Sequence, residues 1–288
     1  MPYVKSFLKD ELQGQKPSNL LTQEFGTSKA GSIEIRDFFG SRDFFSYPKP
    51  SALLKRLLSI GSNKDSIVLD FFSGSATTAH AVMKINTQDG GNRKFIMVQL
   101  PELCDEKSEA HKAGYKNICE IGEERIRRAG EQIKKEWEEE HSKEGLFSEE
   151  CDFTTDIGFK VFKLDSTNIN EWDSTRKLEE IELSKNLKEV FKHDRSKEDV
   201  LYEIMLKYGV FDMPVSEINI NGKTMYRVGK RYMIVCLDYD VTNEDVKAIA
   251  DLKPKSVIFN EAGFKDDNAK INAEYNLQKA GVEDIKCI

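Results

Sequence analysis

Residues 65–102 read DSIVLDFFSGSATTAHAVMKINTQDGGNRKFIMVQLPE. Ile67-Val68-Leu69 is a short apolar run with two β-branched residues, the pattern of a buried strand, and it ends at Asp70. A loop of small residues follows, Ser73-Gly74-Ser75-Ala76, and then Thr77-Thr78. Residues 79–85 read as a helix, with Ala81, Val82 and Ile85 on one side. Asp89-Gly90-Gly91-Asn92 is a turn cluster. Phe95-Ile96-Met97-Val98 is a second buried strand, ending at Gln99, Pro101 and Glu102. Strand, glycine-bearing loop, helix, turn and strand within about 35 residues make one βαβ crossover, with the helix on one face of a parallel sheet.

Such a unit builds a ligand site for physical reasons. The loop lies at the carboxyl end of a strand, where open α/β sheets bind ligands. Gly74 permits close backbone approach, and the helix starting near Thr77 offers unpaired N–H groups and a partial positive charge. Thr77 and Thr78 can cap that start or bond the ligand. An acidic or amide side chain at the end of the second strand can hold a ribose. A phosphate loop needs Gly-Lys-Ser/Thr, and no lysine is present; a dinucleotide loop needs three spaced glycines, and this loop has one. A ligand with a small carboxylate and a ribose fits better than one with a pyrophosphate.

Asp70-Phe71-Phe72-Ser73-Gly74-Ser75-Ala76-Thr77-Thr78 resembles the motif that binds S-adenosyl-L-methionine (AdoMet) in the β-group amino DNA methyltransferases, Asp-x-Phe-x-Gly-Ser-Gly-Thr-Thr. Ala76 stands where glycine is more usual. The flanking words, Phe45-Ser46-Tyr47-Pro48-Lys49-Pro50 and residues 92–102, are similar to the modification (Mod) subunit of type III restriction–modification systems. So are Lys112-Ala113-Gly114-Tyr115, residues 124–130 and residues 260–267, so that the resemblance covers nearly the whole chain. It implies that Asp70 faces the methionine amino group, and that Phe71 and Phe72 cover the cofactor, one of them with a share in the core. It implies that Ser73, Gly74, Ser75, Thr77 and Thr78 line the loop side, and that Ser46, Lys49 and Pro50 (similar to motif X) lie against the methionine. Relatives often carry a glutamate at the position of Gln99 to hold the ribose hydroxyls; here either Gln99 or Glu102 takes that part.

Composition sets the wider frame. The chain has 288 residues, 39% hydrophobic and 32% charged, enough for two domains with cores of their own. No apolar run approaches the roughly 20 residues of a membrane span, and the start shows no signal-peptide pattern. Five scattered cysteines (Cys104, Cys119, Cys151, Cys236, Cys287) and four histidines form no metal-ligand spacing, which points to reduced thiols and a cytoplasmic protein. Net charge is −7, against a broad DNA-binding surface, yet residues 1–58 carry +3 and the remainder −10. The basic residues of the first part read as a solvated surface.

The rest of the chain is read around the motif. Residues 6–12 suggest a short helix, 16–19 a turn and 26–32 a polar loop. Ser51 can cap a helix with Leu53, Leu54, Leu57 and Leu58 on its apolar face. Residues 119–137 are helical by periodicity (Ile118, Ile121, Arg125, Ile126, Ala129, Ile133), with Arg125, Arg127 and Arg128 paired to nearby glutamates; His80 is a packed or surface residue. Residues 138–150 form a charged helix end and loop, and 159–164 alternate as a third strand. After about 174, helices over 178–191, 198–208, 243–252 and 269–279 are expected among strands over 232–237, 256–259 and 283–288, with a hairpin around Asn221-Gly222. Asp238, Asp240, Glu261 and Asp266 have surface and capping roles. The fold class is therefore α/β: an incomplete Rossmann-like methyltransferase sheet over 1–173, then a second, smaller α/β domain over 174–288.

The family's catalysis uses an Asp-Pro-Pro-Tyr type motif that holds the flipped-out adenine, and none of the seven prolines here is adjacent to another. The expectation is the AdoMet-binding, C-terminal half of a Mod subunit, an adenine-N6 DNA methyltransferase by family and inactive alone. Its partners would be the missing N-terminal half of Mod, a second Mod subunit, the restriction (Res) subunit and double-stranded DNA, with no membrane. The strand ending at Asp70 would then show an apolar edge, to be covered by another chain or a rearranged segment, or left poorly ordered. Two alternatives remain: an AdoMet-binding or assembly module complemented by a separate N-terminal half, and a small-molecule methyltransferase.

Overall fold

The computed structural model describes residues 21–142, 152–170 and 190–288. The helix and turn expected over 6–12 and 16–19, most of the loop up to 150, and nearly all of the helix expected over 178–191 lie outside them. The chain divides into two compact units, Met1–Phe162 and Lys163–Ile288, eleven residues before the boundary expected from sequence.

The first unit runs α1 (Ser28–Phe39), α2 (Ser51–Gly61), β1 (Ile67–Asp70), α3 (Thr77–Asp89), β2 (Lys94–Met97), α4 (Glu109–Lys112) and α5 (Ile118–His141). β1 and β2 pair in parallel, from Ile67 opposite Lys94 to Asp70 opposite Met97. α3 is longer than the expected 79–85 and is buried on nearly every side, between α2 and α5. Its small residues, Ala79 and Ala81 above all, let those neighbours close in. Ala79 and Met83 meet Ile126, Ala129 and Ile133 of α5, and Phe95 and Met97 of β2 pack against the same cluster. The opposite face of the strand pair is bare: Ile67 and Leu69 are 58% and 59% exposed, and Ile96 and Val98 are exposed beside them. Among the described residues no further strand joins this pair.

Three local expectations are corrected. Residues 26–32 are not a loop: Thr27 caps α1 by accepting from the Ala30 N–H, and the helix carries on through Gly31. Ser51 does not cap α2; it is the first helical residue, and its N–H and hydroxyl both donate to the Glu34 carboxylate. Residues 159–164 form no strand. The alternation is real over 153–159, but Phe153, Ile157 and Phe159 turn into the α3–α5 cluster, so the partner is a pair of helices and not a ladder. Within α2, Leu57 of the expected apolar face is exposed.

The second unit runs α6 (Lys197–Lys207), β3 (Val215–Ile220), β4 (Lys223–Val228), β5 (Met233–Cys236), α7 (Asn243–Asp251), β6 (Ser256–Phe259), α8 (Asp267–Lys279) and β7 (Asp284–Cys287). The sheet order is β3-β4-β5-β6-β7; the first two pairs are antiparallel and the last two parallel. Asn221 and Gly222 both take positive φ (51° and 85°), as a two-residue hairpin turn requires. α7 and α8 cover one face, with Val246, Ile249, Ala273 and Leu277 on Ile234, Cys236, Val257 and Phe259. α6 covers the other, with Leu201, Ile204 and Met205 among Met233, Val235 and Ile258. That is why β5 and the later part of β6 read as unbroken apolar runs. Asp266 caps α8, Glu261 pairs with Lys270, and Asp238 takes Lys197 and the Thr224 N–H, so these acids serve the fold. No helix among the described residues is long and apolar enough to cross a membrane.

Candidate cofactor-binding site

The loop joining β1 to α3 sits where the two parallel strands end side by side. The Val98 N–H donates to the Asp70 carbonyl (2.8 Å) and the Ser73 N–H to the Val98 carbonyl (3.2 Å), so the loop is stitched to the end of β2. Gly74 and Ala76 both have positive φ, 52° and 57°. For Ala76 that conformation costs about 1 kcal/mol, a physical reason why glycine suits this position. Asp70 accepts from the Thr78 hydroxyl (2.5 Å) and from the Phe72 N–H (3.3 Å). Thr78 is thereby turned toward Asp70, and no side chain caps the start of α3. Phe71 and Phe72 are 62% and 73% exposed, with ring centroids 5.2 Å apart.

At the start of the segment before α2, Phe45 lies beside this loop. A Cβ on Gly74 would stand 3.2 Å from the Phe45 ring. Ser46 and Lys49 are exposed and Pro50 is buried. At the far strand end, Gln99 Oε1 accepts the Gly74 N–H at 2.7 Å, while its Nε2 donates to the Leu100 carbonyl (3.3 Å). Gln99 thus reaches the glycine loop itself. Glu102 is exposed, with its N–H on the Leu100 carbonyl and its own carbonyl on the Ile118 N–H. The Ser75 and Thr77 hydroxyls point inward, not toward the open side: both accept from Arg125 Nη1, at 2.8 and 2.5 Å.

Arg125 was expected to pair with glutamates near it in sequence. Arg127 and Arg128 do so, with Glu123 and Glu124. Arg125 instead crosses to Glu34 of α1, 2.8 Å away. It is fully buried, and burial pulls its pKa down to about 10 while Glu34 pushes it back up, so it stays charged at neutral pH. Its place on the apolar face of α5 was the available sequence signal: a cation in that stripe needs an internal partner. Glu34 gave no such signal, because its partners are 17 and 91 residues away. Gly122 was missed as well; a Cβ there would come 3.2 Å from the Gly74 carbonyl, so α5 needs a small residue under the loop.

His80 is buried with neither ring nitrogen hydrogen-bonded, edge-on to Phe38. Burial, then the charges of Lys84 and Arg125, hold its pKa well below the ordinary value of 6.5. Above that value both folded and unfolded chains carry a neutral imidazole. As pH falls below it the unfolded chain takes up a proton that the folded one refuses, and stability falls by up to about 1.4 kcal/mol per pH unit. Urea unfolding of the first unit between pH 5 and 8 should show this decline, and His80→Leu should flatten it; an unchanged slope would contradict the assignment.

Residues 8–145 match the family described as DNA methylase (N6_N4_Mtase). The chain is 44% identical over 119 residues to the type III restriction-modification enzyme StyLTI Mod subunit of Salmonella typhimurium, covering 41% of this chain and 18% of that protein. It is 31% identical over 269 residues to the EcoPI Mod subunit of Escherichia phage P1, covering 88% of this chain and 38% of that protein. It is also 32% identical over 119 residues to the type II methyltransferase M.KpnI of Klebsiella pneumoniae, covering 41% of this chain and 28% of that protein. The chain therefore spans well under half the length of these relatives. The glycine loop, its supporting helices and the segment before α2 all fall inside residues 8–145.

Proposed function

We propose that this chain is the AdoMet-binding portion of a site-specific adenine-N6 DNA methyltransferase of a type III restriction–modification system. The observation that carries the reading is the corner at the strand ends where Gln99 reaches Gly74, with Asp70 at the start of the same loop and Phe45 beside it. Bound there, AdoMet supplies an electrophilic methyl on its sulfonium for attack by the adenine amine. Asp70 accepts from the methionine amino group while Thr78 holds its carboxylate in place. The uncapped start of α3 and Lys49 suit the methionine carboxylate. Phe71 and Phe72 cover the ligand from the open side. Gln99 holds the ribose by giving up the Gly74 N–H, with Glu102 as the other candidate.

Transfer to adenine further needs an acceptor for the amine proton and a ring to stack on the base. No Asp-Pro-Pro-Tyr occurs in these 288 residues, which supports a chain that binds AdoMet without methylating by itself. The bare face of Ile67, Leu69, Ile96 and Val98 supports cover by a further part of the same enzyme or a separately encoded half. Double-stranded DNA, a second Mod and the Res subunit complete the proposed assembly.

Calorimetric titration with AdoMet tests the cofactor step. The chain should bind, and Asp70→Ala should weaken binding about 100-fold, the loss of one charge-assisted hydrogen bond and its electrostatic partner. Labelled methyl should reach adenine-containing DNA only after an Asp-Pro-Pro-Tyr-bearing Mod segment is added. No binding by the chain, or equal binding by Asp70→Ala, would overturn the reading.

A further inference from the structure

We infer that Arg125 and Glu34 are positioning residues that hold the two walls of the proposed cofactor cleft in register. One wall is the glycine loop; the other is the segment from Ser46 to Pro50. The inference rests on the AdoMet reading above, and the geometry behind it stands by itself. Arg125 Nη1 donates to the Ser75 and Thr77 hydroxyls of the loop, and Nη2 to Glu34 Oε2 (2.8 Å). Glu34 Oε1 accepts from both the N–H and the hydroxyl of Ser51, each at 2.9 Å, directly after Lys49-Pro50. One side of α1, the start of α2, the start of α3 and the middle of α5 therefore meet at a single ion pair.

The chemistry suits positioning more than bulk stability. A guanidinium is planar, with donors in a rigid fork, so it fixes the directions of its partners as well as their distances. Each partner of this fork sits on a different element. Both loop residues are buried, and their hydroxyls also bond one another at 3.3 Å, so the fork grips them as a pair. Holding them sets where Gly74 and Asp70 lie, although Arg125 touches neither. Glu34 carries the same constraint across to Ser51, and so to the residues just before it. Replacing a largely buried ion pair by apolar side chains often costs little in stability. The placement of this pair at a loop joint therefore suits positioning.

The test uses the intact chain. Arg125→Lys keeps the charge but cannot span Glu34 and both hydroxyls. It should weaken AdoMet binding 10- to 30-fold and speed amide exchange at residues 73–78 by about tenfold, with exchange in β2 and the rest of α5 unchanged. Glu34→Gln should loosen the amides of Lys49, Ser51 and Ala52 as well. Should Arg125→Lys fail to fold, Ser75→Ala combined with Thr77→Val decides the matter, since it removes only the acceptors of the loop and leaves the ion pair. Unchanged loop exchange and affinity, or loosening spread evenly over the whole first unit, would overturn the inference. If the unaltered chain fails to bind AdoMet, the cofactor reading falls, and the exchange measurements on the free chain still decide whether the pair positions the loop.

Discussion

Gly31→Ala should unfold the first unit far more easily, at a cost of about 3 kcal/mol. Gly31 lies inside α1, where alanine is ordinarily the better helix former by about 1 kcal/mol. Here a Cβ would stand 2.3 Å from the Pro48 carbonyl oxygen and 3.0 Å from the Lys49 carbonyl carbon. Both contacts are backbone, so no rotamer change relieves them. Either α1 shifts or residues 48–50 move off it, and the second movement displaces the start of α2 with them. The melting temperature of the first unit should fall by roughly 6–12 °C, and hydrogen exchange should localise the change to α1 and residues 45–52. Gly61→Ala is the control: its Cβ meets nothing within 4 Å, and stability should hold or rise slightly. Equal melting of the two variants would show that α1 does not approach the Pro48 carbonyl so closely.

Asp245→Ala should cost the second unit about 3 kcal/mol and leave the first unchanged. Asp245 is fully buried. It accepts from Lys223 Nζ (2.8 Å), from Asn221 Nδ2 (2.8 Å) and from the Thr242 N–H (2.9 Å), and its own N–H donates to Thr242. One carboxylate thus caps α7 and ties it to the hairpin turn between β3 and β4. Burial pushes its pKa up, but the bonds from Lys223, Thr242 and Asn221 outweigh that and hold it at about 2. The folded value is below the unfolded one, so this stabilisation is complete above about pH 4 and is lost as pH falls toward 2. Hydrogen exchange in β3–β5, followed from pH 7 to pH 3, should show the acid sensitivity in the parent and its loss in the alanine variant. Exchange that rises in the first unit too, or in neither, would contradict this account.

Sequence and structure agree most where one local pattern decides the outcome. The run Ile67-Val68-Leu69, the glycine loop and the run Phe95-Ile96-Met97 became β1, the loop and β2, because a short apolar run bounded by turn residues is a local signal, whereas the burial expected of both strands is met on one face only. In the second unit every expected element that falls within the described residues appears, displaced by three residues at most. Asn221-Gly222 could be read directly, since both positions of that turn need positive φ. The segment 153–159 shows the limit. Its alternation marked which residues turn inward, but a period of two does not say whether a strand or a pair of helices receives them.

The sequence alone determined the loop of the candidate site, because those residues are consecutive: Asp70 to Thr78 form one covalently continuous turn. Only the tertiary structure decided which side chains face the open corner and which hold the loop from behind. Ser75 and Thr77 turn inward because a buried guanidinium on α5 needs acceptors. Gln99 reaches Gly74 because two parallel strands end together. Glu34 joins the site because α1, which its residues disguise as a loop, packs across the start of α2. Such pairings link positions tens of residues apart, and no spacing along the chain encodes them; they arise when buried charges find their counterparts as the helices close.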